Sequence, residues 1–233
     1  MEKISEWPHA GFFQSVFNLK YGNGTGTCLF LDHEKRSYLV SAKHIFKDKK
    51  SGDSIIVQIL QDGKWLDYSG NIFFHSIEEI DIAVILSKSQ ELINSPYTLL
   101  ECETILGAEG YFFGFPYGIF SSDLGKINNG FPFPLIKKAI SSGVYHEKNY
   151  HISILDGHNN PGFSGGPVIF KNRIKDKGDV EWRLDSVIAA YIPQNNKLLT
   201  PFGEIDYNEN SGLIISYPKI YLKQIINNIP DQE

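Results

Sequence analysis

Cysteine is nearly absent from this chain: Cys28 and Cys102 are the only two in 233 residues. That is too few for the disulfide framework of a small secreted scaffold. Both lie among apolar or strand-like residues, so each is read as a buried free thiol. The N-terminus, Met1-Glu2-Lys3-Ile4-Ser5-Glu6-Trp7-Pro8, lacks an apolar core of signal-peptide length, and no later run is long enough for a membrane span. The chain is therefore read as cytoplasmic, with no membrane partner. Long basic runs are missing too. Lys47-Asp48-Lys49-Lys50 is read as a solvated loop, and a net charge of −5 offers no electrostatic footprint for nucleic acid. His146 and His151 stand five apart rather than at the i, i+4 spacing of a helical zinc motif, so no metal and no cofactor are expected.

What the chain has in quantity is turn formers and strand formers. Gly (21), Pro (11) and 13% aromatic residues accompany short apolar runs punctuated by polar ones. That pattern predicts strands at 11–19, 26–32, 37–42, 54–60, 64–74 and 81–87. A polar connector, Lys88 to Pro96, separates them from a second series at 108–115, 137–146, 150–155, 166–171, 182–192 and 211–216. The fold class is thus all-β, as two six-stranded antiparallel barrels, 1–96 and 97–233. Leu222, Ile225, Ile226 and Ile229 fall on one helical face before Pro230, which predicts a C-terminal α-helix on the second barrel.

The chemistry-bearing run is Asn160-Pro161-Gly162-Phe163-Ser164-Gly165-Gly166-Pro167. Its glycines permit tight bends and close approach of a carbonyl to main-chain N–H groups. A serine hydroxyl needs a base and an orienting acid to act as a nucleophile. Upstream, His44 follows an apolar run in Ser41-Ala42-Lys43-His44, and Asp81 opens another, Ile82 to Ile85. A carboxylate entering a core needs a partner. Asp53 and Asp67 are the fallback acids. Gly162 to Gly166 also fits the G-x-S-x-G elbow of α/β-hydrolases, but that fold requires a later histidine and His158 is the last. The order His44, Asp81, Ser164 is that of the two-barrel architecture.

On these motifs the chain resembles trypsin-like (chymotrypsin-fold) serine proteases, most of all the bacterial HtrA/Deg type of protease domain. Gly107 to Gly118 is similar to the opening of the second barrel in that group, and Asp156 to Pro167 to its approach to the serine. The resemblance spans about residues 11–228, and no PDZ domain is expected after the helix. It implies a serine endopeptidase acting on protein or peptide substrates, with His44, Asp81 and Ser164 catalytic and the N–H groups of Gly162 and Ser164 as the oxyanion hole. Ile214, Ile215 and Ser216 would lend backbone to an extended substrate. His158 falls where the family places part of its specificity pocket, the alternative being an exposed loop histidine. Phe163 replaces the aspartate that digestive members use for activation by N-terminal insertion. Control would then pass to a loop, such as the Gly- and Phe-rich stretch from Ile119 to Ile136, or to an activating partner. The competing function is a peptide-binding pseudo-protease that recognises without cutting.

Overall fold

Strands β1 (Val16–Tyr21), β2 (Gly24–His33), β3 (Arg36–Ser41), β4 (Ser54–Gln61), β5 (Lys64–Phe74) and β6 (Ala83–Ser87) close into one barrel, ordered β1-β2-β3-β6-β5-β4. Strands β7 (Glu109–Gly114), β8 (Leu135–His146), β9 (His151–Asp156), β10 (Pro167–Arg173), β11 (Val180–Thr200) and β12 (Gly203–Pro218) close a second, ordered β10-β11-β12-β9-β8-β7. A helix, Lys219–Asn227, follows. This chymotrypsin-like double barrel comes from a computed structural model that describes residues 7–88, 95–101, 104–121, 128–173, 180–201 and 203–230. Cys102, most of the Lys88–Pro96 connector and the centre of the Ile119–Ile136 stretch lie outside the described residues.

The barrels are held together because the strands between them are apolar on both faces. In β2, Cys28 and Phe30 fill the first barrel while Leu29 and Leu31 face the second. Strands β3 and β6 repeat this: Leu39, Ala83 and Ile85 point inward, Tyr38, Val40, Val84 and Leu86 outward. Across the joint, Phe113, Ile169 and Val187 meet that outward set, while Phe112, Val168 and Ile188 fill the second barrel. A strand buried on both faces reads as a continuous apolar run, and its alternation decides which core each side chain joins. The helix residues Leu222, Ile225 and Ile226 join the interface cluster. Cys28 is a buried free thiol, and burial pushes its pKa up.

Two segments depart from the sequence expectation. Residues Gly11–Gln14 form a single helical turn rather than the start of a strand. Phe12 is thereby buried against the edge of the Tyr97 ring, and the Tyr97 hydroxyl donates to the Phe12 carbonyl at 2.7 Å. Residues 193–210, which lie between the strands expected at 182–192 and 211–216, are a two-stranded ribbon paired from Pro193↔Asn210 to Thr200↔Gly203. Neither face of it enters a core, so no apolar alternation marks it. Cross-strand pairs such as Lys197 Nζ to Glu204 (3.1 Å) and Asn196 to Glu209 (2.8 Å) support it instead.

Tyr97→Phe is expected to destabilise the fold by about 1–2 kcal/mol, read by urea denaturation, because it strands the buried Phe12 carbonyl. Burial also raises the Tyr97 pKa well above its ordinary value. The folded state therefore requires the neutral phenol. Stability is intact below the unfolded tyrosine pKa of about 10 and falls as pH rises past it. The variant should flatten part of that alkaline loss.

Candidate active site

His44 and Asp81 meet because of strand register. Antiparallel pairing sets Ser41, the last residue of β3, opposite Ala83, the first of β6. The chain after β3 and the chain before β6 therefore emerge at the same end of the barrel. Just past β3, a 3-10 turn, Lys43–Phe46, carries His44. Asp81 sits between Ile80 and Ile82, both fully buried, so its backbone is anchored on either side. Its Oδ2 lies 2.6 Å from His44 Nδ1, and its Oδ1 accepts the His44 backbone N–H at 2.7 Å. The carboxylate thus holds both the ring and the backbone of the histidine. A carboxylate accepts from the ring, so a neutral imidazole here carries its proton on Nδ1 and keeps a lone pair on Nε2. Asp53 and Asp67 are engaged elsewhere, with the Lys50 N–H and with Gln58. Sequence reasoning missed Tyr217, whose hydroxyl donates to the Glu79 carbonyl at 2.5 Å. Its pKa is pushed up to about 12, first by burial and then by the negative charge of Asp81.

The serine run folds as two successive turns. Phe163 N–H returns to the Asn160 carbonyl at 3.2 Å and Gly166 N–H to that of Phe163 at 2.8 Å. The third residues, Gly162 and Gly165, have φ of +105° and +86°. Positive φ there, with Pro161 second in the first turn, defines type II geometry and demands glycine. Space demands it as well: a Cβ on Gly162 would lie 2.4 Å from the Phe115 carbonyl oxygen.

Every carbonyl from His158 to Ser164 has an acceptor role already filled. Lys137 Nζ donates to His158, Asn210 to Asn159, and the Phe163 N–H to Asn160. The Tyr117 N–H takes Pro161 (2.9 Å), the Thr27 hydroxyl takes Gly162 (2.7 Å), and the Gly166 and Thr27 N–H groups take Phe163 and Ser164. Among the described residues the N–H groups of Gly162 and Ser164 have no acceptor. These two are the donors of the serine turn that remain unclaimed.

The turn lies against the end of the first barrel from which His44 emerges. A Cβ on Gly26 would stand 2.5 Å from Ile45 Cδ1 and 3.1 Å from the Ser164 oxygen, so both chains converge there. The Ser164 hydroxyl, however, donates to the Ala189 carbonyl at 3.1 Å. The structure thus joins His44 to Asp81 and seats the Ser164 backbone against β2 near Ile45, with the serine hydroxyl turned to β11. A cleft of about 650 Å³ adjoins His44, lined by Tyr21, Gly22, Gly24, Ile45 and Asp48.

Ile214, Ile215 and Ser216 do not offer the expected substrate edge. They lie in β12, paired on one side to β9 (Ile214↔Leu155) and on the other to β11 (Ile188↔Ser216). With both edges used, no backbone remains for a third strand. The open edge belongs to β11 instead. Its pairing with β10 ends at Pro167↔Val187, and beyond Ile188 that edge, starting with Ala189, has no neighbouring strand among the described residues. His158 is exposed, and the contact it makes is through its carbonyl. Among the described residues no three His, Cys, Asp or Glu side chains converge as a metal site would require.

Comparison of the fold with solved structures finds trypsin-like serine protease domains. The HtrA-type protease AlgW with tripeptide superposes with a TM-score of 0.59 at 19% identity, over 93% of this chain and 60% of that one. The chain therefore spans about three fifths of AlgW's length. The Rv3671c protease of M. tuberculosis, in an inactive form, gives 0.57 at 12% identity over 99% of both chains. The MamO protease domain of Magnetospirillum magneticum gives 0.51 at 15%, over 95% of this chain and 99% of that one. At these identities the likeness establishes the fold alone, the chymotrypsin-like double barrel. No family model and no curated protein matches the sequence.

Proposed function

We propose that the protein is a serine endopeptidase that cleaves protein or peptide substrates through an acyl-enzyme. Rotation of the Ser164 hydroxyl from Ala189 toward His44 Nε2 precedes attack. Ser164 Oγ bonds to the scissile carbonyl carbon, its proton passes to Nε2, and the carbonyl electrons move to the oxygen held by the Gly162 and Ser164 N–H groups. Collapse breaks the C–N bond as His44 gives its proton to the leaving amine. Water, deprotonated by His44, then releases the acid and restores the serine. Asp81 keeps the imidazole in the productive tautomer throughout. An extended substrate pairs with the open edge of β11 from Ala189 onward.

The observation that carries this reading is the coexistence of the doubly bonded His44–Asp81 pair with two unclaimed N–H donors at the serine turn. The bound Ser164 hydroxyl favours a resting state that a partner or substrate converts, and it also keeps the pseudo-protease reading alive. A buried free Cys28 suits a reducing compartment, in keeping with a cytoplasmic, bacterial processing enzyme. Incubation with an unfolded protein, followed by mass spectrometry, separates the two readings. Wild type is expected to yield discrete fragments, and Ser164→Ala to lose this by a factor of about 10⁴ or more. Binding without fragments at any condition, or fragments unchanged in the variant, rejects the endopeptidase.

A further inference from the structure

Lys137 occupies an unusual place. It lies in β8, on the same side of the strand as the buried Ala139, while its neighbours Ile136 and Lys138 are exposed. Its ammonium group reaches the back of the serine loop. Nζ donates to the His158 carbonyl at 2.6 Å and to Asn160 Oδ1 at 2.7 Å, and lies 5.5 Å from the centre of the Phe163 ring. Asn160 and Phe163 are the first and last residues of the turn that presents the Gly162 N–H. Phe163 is fully buried and packs edge-on against Phe112 at 4.9 Å. No carboxylate partners this ammonium among the described residues, and burial lowers its pKa. This partly exposed cation is held by neutral acceptors and an aromatic face, all belonging to one loop.

We infer that Lys137 is a positioning residue: it clamps residues 158–163 from behind and so holds the oxyanion-binding N–H groups in their productive orientation. The residue before Ser164 is the fully buried Phe163, which offers no charge to fasten the loop. The clamp consists of two hydrogen bonds and a ring contact. It touches neither the His44–Asp81 pair nor the open edge of β11. Its loss therefore acts on the chemical step, through misplacement of donors, rather than on substrate capture. The inference rests on the protease reading above.

The test measures kcat, KM and the rate of fluorophosphonate labelling for wild type, Lys137→Met, Lys137→Arg and Lys138→Met, with the urea unfolding midpoint of each. Lys138 faces outward and pairs with Glu109, so Lys138→Met should match wild type. Lys137→Met is expected to lower kcat and labelling on the order of 100-fold, with KM within about twofold and an unchanged midpoint. Lys137→Arg, which keeps the charge and the donors, should recover part of that loss. If Lys137→Met does not fold, Asn160→Ala removes one acceptor alone and should slow labelling about tenfold. Wild-type rates in whichever of these folds, or a loss confined to KM, overturn the clamp. Failure of wild type to label under any condition overturns the protease reading and the clamp together.

Discussion

Asp81→Asn is expected to lower kcat by about 10⁴-fold while leaving the protein folded. The reason lies in the two bonds Asp81 accepts, from the His44 ring at 2.6 Å and from the His44 backbone N–H at 2.7 Å. An asparagine amide has one accepting oxygen and one donating nitrogen. If the oxygen stays with the backbone, the NH₂ group faces Nδ1 and forces the tautomer with its proton on Nε2. That nitrogen can then no longer accept the Ser164 proton. If the amide flips, the NH₂ meets the backbone N–H and the 3-10 turn carrying His44 is disturbed. Either way the base is lost. Steady-state kinetics beside a circular dichroism spectrum check it, and a variant within tenfold of wild type would remove Asp81 from the mechanism.

Gly165→Ala is expected to act on stability with comparable force, costing at least about 4 kcal/mol. At φ +86° an alanine is strained before any contact is counted. A Cβ there would lie 2.1 Å from the Thr27 carbonyl oxygen and 2.8 Å from Ser41 Cα, both backbone atoms of the opposite barrel. Neither can swing aside as a flexible side chain would. Relief requires the serine turn to lift from β2 and β3, which breaks the Thr27–Ser164 backbone bond and opens the joint near His44. Urea denaturation should show a lowered midpoint together with lost activity. A midpoint like that of wild type would mean that the turn is not seated against the first barrel as described.

The parts of the molecule legible in the sequence are those whose chemistry forces a local pattern. Runs such as Cys28 to Leu31 and Val84 to Leu86 announced strands because they serve two cores at once. Asn160 to Gly166 announced its turns because positive φ at Gly162 and Gly165 excludes other residues. The helix ending near Pro230 was written in the spacing of Leu222, Ile225 and Ile226. What stayed hidden lacked such a local cost. Phe12 and Phe13 were read as the start of a strand, and the helical turn there goes with docking of Phe12 on Tyr97. The 193–210 ribbon buries neither face, so polarity concealed it.

The substrate edge was assigned to Ile214–Ser216 from the family resemblance and not from the residues themselves. Which edge of a strand is free, however, depends on its neighbours and not on its own residues. Ala189-Ala190, two small residues inside the apolar run 187–192, was the available signal. Lys137 could have been noticed by parity, as a lysine two positions before the inward-facing Ala139. The order His44, Asp81, Ser164 was visible from the start. The side to which the serine hydroxyl turns was not, because it is set by a carbonyl twenty-five residues away.

The most direct measurement is the mapping, by mass spectrometry of peptides, of the residue modified by a fluorophosphonate probe. The account predicts one adduct, on Ser164, absent in Ser164→Ala and strongly slowed in His44→Ala. An adduct elsewhere, or a wild-type protein that stays unmodified with and without added peptide, would contradict it.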